Sequence, residues 1–122
     1  MSSGNRVLLV DDNHELVDAA ALRLRAAGYE TLRAYDGQQC IASAVSHHPD
    51  AILLDVQMPV KDGLTALAEL QASEATRSIP IVMLSASIVD EQAALQTGAR
   101  FFLKKPYESQ NLLRALATVM RN

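Results

Sequence analysis

The sequence has one cysteine, no tryptophan and few other aromatic residues, and these shortages limit what the chain can do. Cys40 has no partner for an internal disulfide, so we expect a reducing compartment and a cytoplasmic location. Two phenylalanines and three tyrosines offer no obvious platform for stacking a base or a flavin. No apolar run approaches the roughly 20 residues that a membrane span needs, and the N-terminus lacks the basic and apolar segments of a signal peptide.

An excess of charge of one sign is also missing. Eleven Lys and Arg residues against fourteen Asp and Glu residues give a net charge of −3, without a basic block. Direct binding to nucleic acid is therefore not expected. The length of 122 residues fits one domain, which we predict to span residues 1–122.

Short apolar runs alternate with segments of helical periodicity along the chain. Three continuous runs predict buried strands at 7–10, 51–54 and 79–84, and two more polar runs predict strands nearer a sheet edge at 31–34 and 100–103. Apolar residues recur three and four positions apart within 17–24, 41–48 and 112–119, and less regularly within 64–70 and 93–95. This alternation predicts a doubly wound α/β domain with a five-stranded parallel sheet. Ligands of such folds bind beyond the carboxyl ends of the strands.

Acidic residues stand at the ends of two predicted strands. Asp11 and Asp12 follow the first apolar run, and Asp55 follows the third. If the two strands are neighbours, the three carboxylates lie within a few ångströms of one another and repel each other strongly. Carboxylate oxygens suit a hard dication that keeps several waters, so we expect Mg²⁺ at this edge.

The ends of two further predicted strands place polar side chains at the same edge of the sheet. Lys104 and Lys105 follow the fifth strand and precede Pro106, and a lysine ammonium is a point charge suited to a phosphoryl oxygen. Ser85 ends the fourth run, where its hydroxyl can donate a hydrogen bond to an incoming oxygen. The carboxylates, the metal and one ammonium balance in charge, so a phosphoryl group could be accommodated there.

These residues together resemble the receiver domain of two-component response regulators, the family that includes the single-domain chemotaxis regulator. The resemblance covers about residues 6 to 120 and rests on four motifs: Asp11–Asp12, the segment 54–63, Ser85–Ala86 and Lys105–Pro106. It implies a flavodoxin-like (βα)5 fold with strand order 2-1-3-4-5.

The resemblance also implies a role for each site residue. Asp55 is the expected phosphoacceptor, which takes a phosphoryl group from a histidine kinase or a histidine phosphotransfer protein. Mg²⁺ would be bound by Asp12 and Asp55 directly, by Asp11 largely through water and by the backbone carbonyl of Gln57. Lys105, the lysine directly before the proline, would pair with the phosphoryl group. The expected switch consists of Ser85 and Phe102, although a phenylalanine at an edge strand is by default a packing residue.

Other functions fit the same fold. A Mg²⁺-dependent phosphohydrolase with an aspartyl-phosphate intermediate is the alternative, but such enzymes commonly carry a second acid where this chain has Gln57. A nucleotide or flavin binder is disfavoured because an acidic pair, and not a glycine-rich loop, follows the first strand. Within the leading interpretation, the chain is a single-domain regulator or a receiver excised from a larger regulator or hybrid kinase. Its downstream partner is then a target protein or an effector domain, contacted through the fourth helix, the fifth strand and the fifth helix.

Overall fold

The computed structural model describes residues 5–120 as five strands that alternate with five helices. The strands are β1 (Arg6–Val10), β2 (Glu30–Ala34), β3 (Ala51–Asp55), β4 (Ile81–Ser85) and β5 (Phe101–Lys104). The helices are α1 (His14–Ala26), α2 (Gly37–His47), α3 (Gly63–Ala72), α4 (Asp90–Thr97) and α5 (Ser109–Met120). The predicted domain bounds at 1 and 122 lie outside the described residues. Within 5–120, no helix is long and apolar enough to cross a membrane.

The strands form one parallel sheet in the order β2-β1-β3-β4-β5, which confirms the predicted topology. All four pairings are parallel. In the centre, β1 pairs with β3 so that Val10 lies beside Leu54. On the other side of β3, Asp55 lies beside Leu84, and Ser85 in turn lies beside Lys104 of β5. The register therefore brings the ends of β1, β3, β4 and β5 to one edge of the sheet.

Helices cover both faces of the sheet, and the sheet separates the core into two layers. Successive strand residues point to opposite faces, so the central strands are buried on both sides and read as continuous apolar runs. One layer packs α1 and α5 on the sheet through buried residues that include Val17, Leu24, Leu112 and Leu116. The other packs α2, α3 and α4 through residues that include Cys40, Ala44, Leu67 and Ala94. Burial raises the pKa of the Cys40 thiol to about 12, so this side chain acts as a small apolar group.

The predicted core face of α2 was wrong at one residue. The apolar spacing within 41–48 includes Val45 and predicts that it packs inward, but Val45 is 47 % exposed. The helix begins at Gly37, and its buried stripe runs through Gly37, Cys40 and Ala44, with Ile41 partly buried beside them. Val45 lies about 100° around the helix from Ala44 and therefore faces away from the sheet.

Side chains of three loops fix where the first three helices begin. The side-chain oxygens of Asn13, Asp36 and Asp62 accept hydrogen bonds from backbone N–H groups in the first turns of α1, α2 and α3, respectively. Such caps satisfy amides that have no partner inside the helix. By contrast, α4 has no side-chain cap, and its first residue is Asp90.

Candidate functional site

The three acidic residues meet at the carboxyl edge of the sheet. Asp55 is the last residue of β3, and Asp11 directly follows the neighbouring β1. One carboxylate oxygen from each of Asp11, Asp12 and Asp55 lies within 4.8 Å of the other two. Asp11 and Asp55 are 8 % and 6 % exposed, whereas Asp12 is exposed to solvent. The cluster thus has two buried carboxylates and one at the mouth, a donor set of hard oxygens that fits Mg²⁺.

Lys105 is the cation that faces this cluster. Its Nζ atom lies 2.9 Å from Oδ2 of Asp11 and 2.9 Å from Oδ1 of Asp55. Its backbone N–H donates to the carbonyl of Ser85, which fixes the loop after β5 against the end of β4. Lys104 is exposed, so of the two neighbouring lysines only Lys105 reaches the carboxylates.

Burial and charge shift the pKa values of the central pair. Burial raises the pKa of Asp55, and the charges of Asp11 and Asp12 add to the rise, while the hydrogen bond and charge of Lys105 oppose it. Burial lowers the pKa of Lys105, but hydrogen bonds to Asp55 and Asp11 outweigh it, and the net shift is upward. Lys105 is therefore charged at neutral pH, and further positive charge near Asp55 would favour the ionised form of this carboxyl group.

An open cleft of about 220 Å³ gives access to the cluster. Its walls contain every residue of the predicted metal and phosphoryl sites, together with the start of α1: Asp11, Asp12, Asn13, Leu16, Asp55, Gln57, Ser85, Ala86 and Lys105. Gln57 is exposed and lies on the loop directly after β3. The cleft is therefore wide enough to admit a hydrated ion or a phosphoryl group beside Asp55.

Gly63 packs closely against the backbone at the end of β3, where Asp55 lies. Its backbone N–H donates to the carbonyl of Val56, and a Cβ atom at this position would stand 2.0 Å from the backbone oxygen of Asp55. Only glycine permits this approach. The return of the chain into α3 therefore packs directly on the backbone of Asp55.

Ser85 is buried, and its hydroxyl is already engaged. Its side chain belongs to a residue only 2 % exposed, and its Oγ donates a hydrogen bond to Oδ2 of Asp90, 2.7 Å away. The same oxygen accepts a hydrogen bond from the backbone N–H of Ser87. Asp90 has no distinguishing signal in the sequence, because an acid in the first turn of a helix is common.

Phe102 lies on β5 and packs as a partly buried residue in the layer beneath α2, α3 and α4. Its strand neighbour is Met83, two residues before Ser85 on β4. Met83 and Ser85 therefore face the same side of the sheet. The structure thus places both predicted switch residues on the α4 side, while the neighbouring Phe101 is 37 % exposed.

Comparison with known families and proteins agrees with this geometry. A family model for the response regulator receiver domain matches residues 7–117. The transcriptional regulatory protein PrrA of Mycobacterium tuberculosis is 36 % identical over 118 residues, which are 95 % of this chain and 50 % of that protein. The chain spans about half the length of this curated relative.

Solved structures show the same fold. The receiver domain of the sensor histidine kinase PA1611 from Pseudomonas aeruginosa is 36 % identical, with a TM-score of 0.88 over 97 % of this chain and 98 % of that one. That structure holds a magnesium ion coordinated in its active-site cleft. The chemotaxis protein CheY4 of Vibrio cholerae is 32 % identical, with a TM-score of 0.87 over 94 % of this chain and 98 % of that one.

Proposed function

This chain belongs to the response regulator receiver domain family, and we propose that Asp55 takes a phosphoryl group from a phosphohistidine donor in the presence of Mg²⁺. As a receiver domain it is a signalling phosphoacceptor rather than a true enzyme, and this family membership disfavours the phosphohydrolase alternative. The observation that carries the proposal is the position of Asp55: it ends β3, shares a cluster with two other carboxylates and accepts a contact from Lys105.

The proposed transfer needs little covalent help from the protein. An oxygen of Asp55 attacks phosphorus in line with the P–N bond of the donor, a new P–O bond forms, and the histidine nitrogen leaves with the electron pair of the broken bond. Lys105 moves its ammonium from Asp55 to an oxygen of the phosphoryl group. In its ionised form the carboxylate of Asp55 can attack phosphorus without a general base.

The metal would be held by Asp11, Asp12, Asp55 and the backbone carbonyl of Gln57. When bound, Mg²⁺ supplies positive charge for the phosphoryl oxygens in the transition state. The carboxylate cluster supports this assignment, and the magnesium ion in the PA1611 receiver domain is a parallel for it. We assign the direct contacts to Asp12 and Asp55, and a largely water-mediated contact to Asp11.

The product would act as a switch. Ser85 is proposed to turn its hydroxyl toward the new phosphoryl group, and Phe102 to turn inward on the same side of the sheet. The output surface would consist of α4, β5 and α5, where exposed apolar side chains such as Val89, Leu95 and Phe101 are available for contact. A downstream target protein or an effector domain would bind there.

The donor and the setting follow from the family. A receiver domain implies a histidine kinase partner, and we extend this to a kinase or a histidine phosphotransfer protein as the direct donor. The similar proteins include a transcriptional regulator and a receiver domain of a sensor kinase. We therefore propose that residues 1–122 form one receiver domain, acting alone or within a longer regulator or hybrid kinase.

Incubation with acetyl phosphate and Mg²⁺ tests the proposal. Intact-mass measurement should show a gain of about 80 Da, the mass of one phosphoryl group. Asp55→Asn should show no gain. Asp18→Asn is the matched control, since Asp18 is exposed on α1, pairs with Arg33 and lies outside the cleft. An adduct that persists in Asp55→Asn would contradict the assignment.

A further inference from the structure

A hydrogen bond between Ser85 and Asp90 joins the cleft beside Asp55 to the first residue of α4. The Ser85 hydroxyl lines the cleft, yet its proton points to Oδ2 of Asp90 at an Oγ–Oδ2 distance of 2.7 Å. The bond is partly buried, and the backbone N–H of Ser87 donates to the same Oγ atom from the other side. The hydroxyl is thus fixed by both a donor and an acceptor.

A serine hydroxyl has one proton and can donate only one strong hydrogen bond at a time. In the structure that proton is given to a carboxylate, which is a stronger acceptor than a neutral oxygen. To donate to a phosphoryl oxygen on Asp55, Ser85 must first give up Asp90. The two arrangements of Ser85 therefore exclude each other.

The carboxylate of Asp90 can accept the hydrogen bond from Ser85 because it does not cap its own helix. The residue before α4 is Val89, and α4 has no side-chain cap. Glu91, the other acid in the first turn, already places negative charge at this helix end. Because Glu91 already interacts favourably with the helix dipole, the carboxylate of Asp90 is not required for that purpose. Its specific contact is the hydrogen bond from Ser85.

We propose that Asp90 is a positioning residue that holds the Ser85 hydroxyl away from Asp55 until Asp55 is phosphorylated. This inference rests on the proposed phosphorylation of Asp55. A phosphoryl group then competes with Asp90 for one proton, and its charge repels the released carboxylate. Phosphorylation thus frees the first turn of α4, so the Ser85–Asp90 bond is an autoinhibitory contact between the site and the output surface.

Beryllium fluoride with Mg²⁺, which mimics a phosphoryl group on an aspartate, measures this competition. We expect Asp90→Ala to bind beryllium fluoride about tenfold more tightly than the wild type, which corresponds to about 1.4 kcal/mol. Glu91→Ala is the matched control: it removes the same charge from the same turn, Glu91 is likewise half-buried, and its affinity should stay within about twofold of the wild type.

A double-mutant cycle separates positioning from a general effect on stability. In a Ser85→Ala background, Asp90→Ala should change the affinity by less than about twofold, because its action passes through the missing hydroxyl. Asp90→Asn keeps the size of the side chain and a weaker acceptor, so it should tighten binding by a smaller factor in the same direction. If Asp90→Ala does not fold, the affinity of Asp90→Asn for beryllium fluoride is the measurement that tests the inference.

The possible outcomes separate this inference from the proposed phosphorylation of Asp55, on which it rests. Equal affinities in the wild type, Asp90→Ala and Asp90→Asn would overturn the inference while leaving phosphorylation of Asp55 intact. So would an effect of Asp90→Ala that persists in the Ser85→Ala background, or one that Glu91→Ala reproduces. A wild-type protein that binds no beryllium fluoride and takes no phosphoryl group would overturn both.

Discussion

The ammonium of Lys105 lies 2.9 Å from Oδ1 of Asp55. The residue proposed to pair with the phosphoryl group is therefore already paired with the proposed phosphoacceptor in the unphosphorylated structure. Mg²⁺ would compensate the same carboxylates, since Asp55 belongs to both the ion pair and the acidic cluster. Lysine and metal thus act on one charge, and removing one of them should change the binding of the other.

Replacing Lys105 separates these two roles. We expect Lys105→Met to bind Mg²⁺ about three- to tenfold more tightly, because the carboxylates lose a competing cation. At saturating Mg²⁺, phosphoryl incorporation should nevertheless slow by at least about tenfold, because the cation that faces the phosphoryl group is gone. Calorimetric titration and mass measurement over time give the two numbers. Lys104→Met, a change at the exposed neighbour, should alter neither, and weaker Mg²⁺ binding by Lys105→Met would contradict this account.

The raised pKa of Asp55 makes stability depend on pH. Burial raises this pKa above its ordinary value of 3.8, so the folded protein holds the proton more strongly than the unfolded chain. Stability from this group is then present at low pH, and it is lost as pH rises from the ordinary pKa through the raised one. Asp55→Asn removes this loss. Without Mg²⁺ at pH 7 it should therefore melt a few degrees higher than the wild type.

Thermal unfolding in EDTA across the acid to neutral range checks this expectation. The advantage of Asp55→Asn should shrink as the pH falls toward 4, close to the ordinary pKa of an aspartate. Asp18→Asn, whose side chain is exposed beside Arg33, should shift the melting temperature little at any pH. A less stable Asp55→Asn at pH 7 would show that its contact with Lys105 outweighs the cost of burial.

Mg²⁺ should stabilise the folded protein through the acidic cluster. A ligand that binds only the folded state at ten times its dissociation constant adds about 1.4 kcal/mol, which raises the melting temperature by several degrees. Asp12→Asn should lose most of this gain, since Asp12 is an exposed member of the cluster whose replacement leaves the core intact. Glu15→Gln, an exposed change in the first turn of α1, should keep it. Full stabilisation of Asp12→Asn would remove Asp12 from the metal site.

Gly63 should be far less tolerant of a side chain than a glycine in open space. A Cβ at Gly63 would stand 2.0 Å from the backbone oxygen of Asp55, whereas a Cβ at Gly28 meets nothing within 4 Å. We expect Gly63→Ala to cost more than about 3 kcal/mol in the free energy of unfolding. Gly28→Ala should cost roughly 1–2 kcal/mol, from its positive φ alone. Urea unfolding compares the two, and similar losses would show that the chain after Asp55 moves aside easily.

The sequence was sufficient to predict the alternating strands and helices, because hydrophobic periodicity and the residues at strand ends are local signals. Continuous apolar runs marked the buried strands, and the rule that parallel strands end at one edge placed Asp11, Asp12 and Asp55 together. The strand order itself came from the resemblance. The choice of Lys105 over Lys104 also came from its place before Pro106, since charge alone does not separate two neighbouring lysines.

The contacts that the sequence could not supply depend on loop conformation. Ser85 reaches Asp90 across the loop between β4 and α4, and no periodicity reports where that loop turns. The prediction for Val45 was wrong because the same spacing of three and four residues fits two faces of α2, and the buried face runs through Gly37, Cys40 and Ala44. Neighbouring positions on a helix point about 100° apart, so choosing the wrong face by one residue turns an expected core residue toward solvent.

The position of the phosphoryl group is the most direct test of the central claim. After reaction with acetyl phosphate and Mg²⁺, borohydride reduction converts an aspartyl phosphate to homoserine, and peptide mass spectrometry then locates the homoserine. Our account predicts homoserine at residue 55 and unchanged aspartates at 11 and 12. Homoserine at another position, or a phosphoryl group found on His14, His47 or His48, would contradict it.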